Sequence, residues 1–340
     1  MNKIKEGYYS AIYFLKTATI LKNERPDDVI TIQFFQRENN VKLAGVNECV
    51  ELIKAEAIDA ASLEIYALTD GDLINAFEPV LKITGHYYQF GYLEGIIDGI
   101  LARQTSIATN CYRLIQVANN KPIIYMNDRN DYYYTQENDG YAASVGRISN
   151  FVTQAQLSKV NPNADPIGTV PHALIQAFNG DLIAALHAYE KHFPTEKLVA
   201  LVDYNNDVIN DTLKVAKEFP DLFAVRIDTS KALVDKYFIG KEEKFKGEDI
   251  HGVNKHLIKA LRQELDRHHF TNVKIIVSSG FTAKIIEDFE KENIPVDFYG
   301  VGQSLAKLTI GFTGDAVLIN GQPQAKYGRH NIESTRLQKK

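Results

Sequence analysis

The sequence predicts an α/β fold in which an N-terminal α/β domain precedes an irregular, TIM-like barrel. Two observations carry this expectation. From about residue 120, short apolar runs recur, each followed by a turn and a helical stretch, the pattern of βαβ units on a parallel sheet. Polar and glycine residues fall just after most of these runs. In a barrel such positions converge on one C-terminal rim, whereas an open sheet would scatter some of them.

Taken in order, residues 8–22 read as a helix, with Ile12, Leu15, Ile20 and Leu21 among its apolar positions. Val29–Phe35 is β-branched and aromatic, the composition of a strand. Gly45–Ala57 has helical spacing, and the tyrosine-rich stretch Ile83–Gly91 passes into a long apolar segment, Leu93–Val117. The runs expected as barrel strands are Pro122–Met126, Ile167–Val170, Leu198–Val202, Leu222–Ile227, Val273–Val277 and Val296–Tyr299. One more strand, Ala316–Ile319, precedes the turn Asn320-Gly321 and a charged end. The expected division is a domain of residues 1–110, completed by 315–340, and a barrel of residues 111–314.

Composition narrows the function classes. The chain has 340 residues, 45% hydrophobic and 24% charged, ordinary values for a globular protein with a large core. A net charge of −5 argues against broad nucleic-acid binding, yet a few arginines can still build a local anion site. Two cysteines, Cys49 and Cys111, support neither a disulfide framework nor a structural zinc site, and they suit a reducing compartment. No stretch approaches the roughly 20 apolar residues of a membrane span, and the N-terminus lacks the apolar run of a secretory signal. The expectation is a cytoplasmic protein.

Four segments could carry chemistry. In Gly168–Leu174, Thr169 and His172 follow a strand candidate; His172 can serve as nucleophile, general base or anion ligand, or be a buried histidine bonded to a carbonyl. Asp203 and Asp207 lie four apart at a strand end, where they could meet a magnesium–pyrophosphate; helix capping by Asp203 or Asn206 is the commoner use of such residues. Arg226 and Asp228 share one face of a strand, a costly arrangement unless they bind a ligand or each other. The guanidinium fork suits a carboxylate or phosphate, and the aspartate suits ribose hydroxyls. Ser278-Ser279-Gly280 and Tyr299-Gly300-Val301-Gly302 follow successive strands, where glycines let backbone N–H groups approach a phosphate. The spacing of His187 and His192 does not suit a helical metal pair, His268-His269 reads as an exposed helix end, and the lysines of 241–246 read as a solvated loop.

In order, these segments resemble the nicotinate phosphoribosyltransferase family, especially its shorter archaeal-type branch. The resemblance rests on Gly168–Leu174, Leu201–Asp207, Val225–Thr229, Val277–Phe281, Asp297–Gly302, Ala325-Lys326-Tyr327-Gly328 and the early Ile12–Thr17. It implies a phosphoribosyltransferase-type barrel and a homodimer with a shared active site. It also implies transfer of phosphoribose from phosphoribosyl pyrophosphate to nicotinate, with magnesium and with ATP hydrolysis coupled through a phosphorylated histidine. By that resemblance His172 is the phosphorylated residue, Asp203 and Asp228 are catalytic carboxylates, and Arg226 is the pyridine-site arginine. Gly280, Gly300 and Gly302, with Ser279, make the 5′-phosphate turns; Thr169 and Arg129 bind substrate, and Tyr13 reaches a neighbouring subunit's site. Where the family has Phe-Gly-x-Arg-Arg, this chain has Tyr125-Met126-Asn127-Asp128-Arg129-Asn130, leaving Met126 or Tyr125 in place of the stacking phenylalanine. Ala11 replaces an expected aspartate, and no cysteine-rich zinc knuckle is present. The alternatives are a quinolinate- or nicotinamide-type transferase, or a degenerate paralogue that only binds.

Overall fold

The computed structural model describes residues 2–340. Along the chain, α1 (Ile12–Glu24) leads to β1 (Val29–Phe35), β2 (Val41–Lys42), α2 (Val46–Glu56), β3 (Glu64–Ala67) and β4 (Leu73–Ile74). Next come β5 (Leu81–His86), α3 (Tyr87–Phe90), α4 (Glu94–Val117), β6 (Ile123–Tyr125), α5 (Gln136–Val145), β7 (Asn150–Phe151) and α6 (Gln154–Leu157). Then follow α7 (His172–Ala177), α8 (Leu182–His192), β8 (Val199–Leu201), α9 (Val208–Glu218), β9 (Ala224–Ile227) and α10 (Lys255–Arg267). The last are β10 (Lys274–Val277), α11 (Ala283–Lys291), β11 (Phe298–Val301), β12 (Thr313–Ile319), β13 (Gln322–Pro323) and β14 (Gln338–Lys339).

The chain divides into two compact units. One takes the chain through Tyr112 together with Tyr141–Arg147 and Lys307–Lys340; the other is Arg113–Gly140 with Ile148–Ala306. The first is built on an antiparallel sheet in the order β13-β12-β1-β5-β3-β14. Strand parity sorts β1: Ile30, Ile32 and Phe34 enter a core with Val46, Cys49, Val50 and Ile53 of α2 and Ile97 and Leu101 of α4. Thr31, Gln33 and Phe35 take the opposite face, and the C-terminal stretch covers it. There Gln33 donates from Nε2 to the His330 carbonyl at 3.0 Å and accepts at Oε1 from the Ile332 N–H at 3.1 Å. At the hairpin joining β12 to β13, Asn320 and Gly321 both have positive φ (51° and 75°), the geometry that an Asn-Gly pair supplies.

The second unit holds the parallel sheet. Its order is β7-β6-β11-β10-β9-β8, with every pairing parallel and β6 and β8 buried throughout. Strands buried on both faces read as continuous apolar runs, which is why they stand out in the sequence. The expected strand at Ile167–Val170 does not form. Ile167 N–H donates to the Phe151 carbonyl at 2.7 Å, and the chain then runs on without further pairing. Pro162, Pro166 and Pro171 remove three backbone donors around this stretch and fix their φ angles. The barrel is therefore a curled half-barrel of six strands, with β7 and β8 at its edges.

Candidate active site

Parallel strands send all their C-terminal ends to one edge, and the sequence-predicted residues of the second unit are mostly there. Asp203 follows β8, Arg226 lies within β9 and Asp228 follows it, Ser279 and Gly280 follow β10, and Gly300 and Gly302 sit at the end of β11. His172 is not at a strand end as expected: it opens α7, after the unpaired stretch that carries Thr169. The two distant segments nevertheless meet, for His172 Nε2 donates to Asp203 Oδ1 at 3.1 Å. The His172 side chain is 46% exposed while that of Asp203 is 6% exposed, so an anchored carboxylate orients an imidazole open to solvent. Burial pushes the Asp203 carboxyl above its usual range, and the hydrogen bond from His172 opposes that shift.

Arg226 is the charged centre of the rim. Burial lowers its pKa, and Asp228 and Asp203 oppose that shift by attraction while Arg129 reinforces it. The salt bridge between Arg226 and Asp228 that the sequence left open does not form. Asp228 Oδ1 instead accepts from Ser278 Oγ at 2.7 Å, and Arg226 Nε is buried without a hydrogen-bond partner. A guanidinium N–H without a partner at the C-terminal edge of the sheet fits an anionic ligand.

The glycine turns are shaped by contact as well as by torsion. A Cβ on Gly302 would meet the Met126 carbonyl oxygen at 2.5 Å and Asn130 Nδ2 at 2.6 Å. On Gly300 it would meet Met126 Sδ and Cε, both at 2.7 Å. Met126, not Tyr125, therefore lies against these turns. Tyr125 is fully buried, its hydroxyl accepting from Asn127 Nδ2 at 3.1 Å and its ring 5.9 Å from that of Phe151. Ser279 and Gly280 carry consecutive positive φ values of 74° and 77°, a left-handed turn directly after β10.

One candidate falls elsewhere in the second unit, and one belongs to the first. Asp207 lines a separate surface depression with Asn210, Lys214, Lys217 and His268. Tyr13 belongs to the first unit, on α1, where it is 61% exposed. The expected capping of α9 by Asp203 or Asn206 is also corrected. The Val208 N–H, at the start of α9, donates to Asp235 Oδ2 at 3.1 Å, and Asn206 Nδ2 donates to the Val234 carbonyl at 2.8 Å. No sequence signal marks Asp235, because its partner is 27 positions away. Ser278, the support of Asp228, was legible as a hydroxyl residue within the first glycine turn. Among the described residues no group of three or more His, Cys, Asp or Glu is placed to hold a metal, and no helix is long and apolar enough to cross a membrane.

Comparison with known proteins extends this picture. Residues 11–105 match the model of the quinolinate phosphoribosyl transferase N-terminal domain. Nicotinate phosphoribosyltransferase of Bacillus subtilis is 24% identical over 246 residues, covering 71% of this chain and 45% of that one. Nicotinate phosphoribosyltransferase PncB1 of Mycobacterium tuberculosis is 28% identical over 253 residues, covering 71% and 50%. The chain thus spans about half the length of these curated relatives. Among solved structures, nicotinate-nucleotide pyrophosphorylase from Pyrococcus furiosus superposes with a TM-score of 0.81 at 27% identity, over 97% of this chain and 79% of that one. Human nicotinic acid phosphoribosyltransferase shares the fold, with a TM-score of 0.71 at 16% identity over 95% and 77%. In sequence this chain is similar to nicotinate phosphoribosyltransferases, and it shares its fold with the human enzyme of that name.

Proposed function

We propose that the chain transfers phosphoribose from phosphoribosyl pyrophosphate to nicotinate, giving nicotinate mononucleotide and pyrophosphate, in the cytoplasm and as a homodimer. The observation that carries this reading is the half-buried Arg226, whose Nε has no hydrogen-bond partner, on the same rim as the His172–Asp203 pair. Arg226 holds the pyridine carboxylate, and Met126, lying along Gly300, supplies an apolar surface for the ring. Asp228, fixed by Ser278, is left to accept from a ribose hydroxyl. The turns at Ser279-Gly280 and Gly300–Gly302 offer backbone N–H groups to the 5′-phosphate, with Arg129 and Thr169 at the margin. Tyr13 would meet the rim of a neighbouring subunit.

The rim sets two carboxylates, Asp203 and Asp228, against Arg226 and Arg129, so it carries no surplus of positive charge. A polyanionic substrate therefore fits best with its own divalent cation. Asp203 fits such an ion through the substrate's oxygens, as one or two carboxylates do for magnesium; Asp207 does not, since it opens elsewhere. Magnesium, when bound, neutralises charge on the departing pyrophosphate. ATP is the second co-substrate: an imidazole nitrogen of His172 attacks the γ-phosphorus and ADP leaves. The resulting phosphohistidine adds negative charge beside Asp203 and so alters the rim's affinity for the other anions.

A second reading, a quinolinate-type transferase, draws support from the family model matched by residues 11–105. Pyrophosphate release measured across nicotinate, nicotinamide and quinolinate, with and without ATP, separates the two. Turnover of nicotinate stimulated by ATP is expected, and His172→Ala should abolish the ATP effect while leaving basal transfer. Turnover of quinolinate alone, with no ATP effect, would replace the first reading by the second.

A further inference from the structure

The first unit contains a cavity that the proposed transferase does not use. It measures about 320 Å³ and is lined by Gln33, Phe35, Phe77, Arg329, His330 and Ile332, with Gly328 at its edge. This is the lower end of the range for small-molecule sites, roughly 300–1,000 Å³. Its C-terminal wall follows directly on Ala325-Lys326-Tyr327-Gly328, a segment to which the rim chemistry assigns no role.

The walls are aromatic. The rings of Phe35 and Phe77 have centroids 5.7 Å apart and are tilted by 37°. Phe77 has φ 64°, a left-handed backbone that strains a bulky side chain and that glycine or asparagine would adopt more easily. The residue is nonetheless 46% exposed, so burial in this chain does little to offset the strain. Residues held in such conformations concentrate at ligand sites, where the side chain has a partner.

The polar part is cationic. The Arg329 guanidinium lies 5.4 Å from the Phe35 ring centre and that of Arg37 lies 5.7 Å from it. Arg329 Nε bonds Asp315 Oδ2 at 2.7 Å and Nη1 bonds the Gly328 carbonyl at 3.2 Å, leaving Nη2 available. Arg37 Nη2 donates to Thr313 Oγ1 at 3.1 Å, a neutral partner. Asp315 is shared, since Lys326 also pairs with it at 2.5 Å. Of the acids near Asp315, Glu94 is pushed up to about 8 by burial and by Asp98 and Asp315, so it is mainly uncharged at neutral pH. That leaves Arg37, Lys326 and Arg329 against Asp315 and Asp98, an excess of positive charge.

We propose that this cavity binds a small planar anion, an aromatic ring carrying a carboxylate, with the ring against the open face of Phe77 and the carboxylate on Arg329 and Arg37. The site is independent of the rim, and its test is made so. Arg226→Ala protein, in which the rim arginine is gone, is titrated calorimetrically with benzoate, nicotinate and acetate. The two ring carboxylates should each bind with one equivalent per chain, and acetate at least about tenfold more weakly, for want of the stacking contacts. Adding Arg37→Ala, an exposed position, should weaken benzoate at least about tenfold, the loss of one charge-assisted contact. Phe77→Gly should weaken benzoate likewise while leaving the melting temperature unchanged or raised, because the backbone strain is relieved; a merely structural ring would lower it. Equal binding of benzoate and acetate, no binding of either, or indifference to Arg37→Ala would overturn the proposal. Loss of transfer in the wild-type chain bears only on the rim.

Discussion

Alanine at each of three rim glycines separates packing from torsion. At Gly302 the added methyl would stand 2.5 Å from the Met126 carbonyl oxygen. That oxygen cannot retreat cheaply, because the same residue's N–H bonds the Val301 carbonyl at 2.8 Å and extends the pairing of β6 with β11. Overpacking of this kind costs about 1–3 kcal/mol, and at about 2–4 °C per kcal/mol for a unit of this size the melting temperature should fall by roughly 2–12 °C. At Gly300 the nearest atoms are the far end of the Met126 side chain, which can swing aside, so the cost should stay below about 1 kcal/mol. At Gly280 nothing lies within 4 Å, but φ is 77°, and a left-handed alanine costs about 1–2 kcal/mol. Differential scanning calorimetry of the three variants should therefore place Gly302→Ala lowest. Pyrophosphate release should fall further in Gly300→Ala than its stability does, since Met126 has left the ring's place. A Gly302→Ala protein that melts with the wild type, or above Gly300→Ala, would show that this contact reasoning is wrong.

Other outcomes follow from buried carboxylates. Glu94 is raised from 4.5 to about 8, so the folded state keeps a proton that the unfolded chain loses. Stability should therefore fall as pH rises from about 4.5 through about 8, by at most about 1.4 kcal/mol per unit, and denaturant titrations should find that slope flattened in Glu94→Gln. Asp235 accepts from the N–H groups of Val208 and Tyr237, so Asp235→Ala should cost about 0.5–2 kcal/mol. Hydrogen exchange should then accelerate first at the start of α9; unchanged protection there would remove Asp235 from its capping role.

The parallel strands were readable because burial on both faces leaves an uninterrupted apolar run with little else to explain it. Val29–Phe35 was readable to the residue for a similar reason. The stretch at Ile167–Val170 has the same composition and still fails, since a strand needs donors and neighbours, and the surrounding prolines limit both. β7 escaped notice because two residues, Asn150 and Phe151, carry no periodicity at all. Within the rim, residue type and position at strand ends were legible, while partnership was not. Local sequence left Arg226 free to pair with Asp228; only the fold brings Ser278 to the carboxylate first. The choice between Tyr125 and Met126 likewise depended on which side chain β6 turns inward, a matter of three residues' register.

The place of β12 has a consequence for how the protein is made. This strand sits inside the first sheet, beside β1, yet it leaves the ribosome only after the bulk of the second unit, which lies between the two in the chain. Until then the β1 edge, with Ile30, Ile32 and Phe34 along it, has no partner and remains open to any passing strand. A nascent chain stalled before residue 313 would therefore be adhesive rather than merely incomplete, and chaperone occupancy should persist until that strand docks.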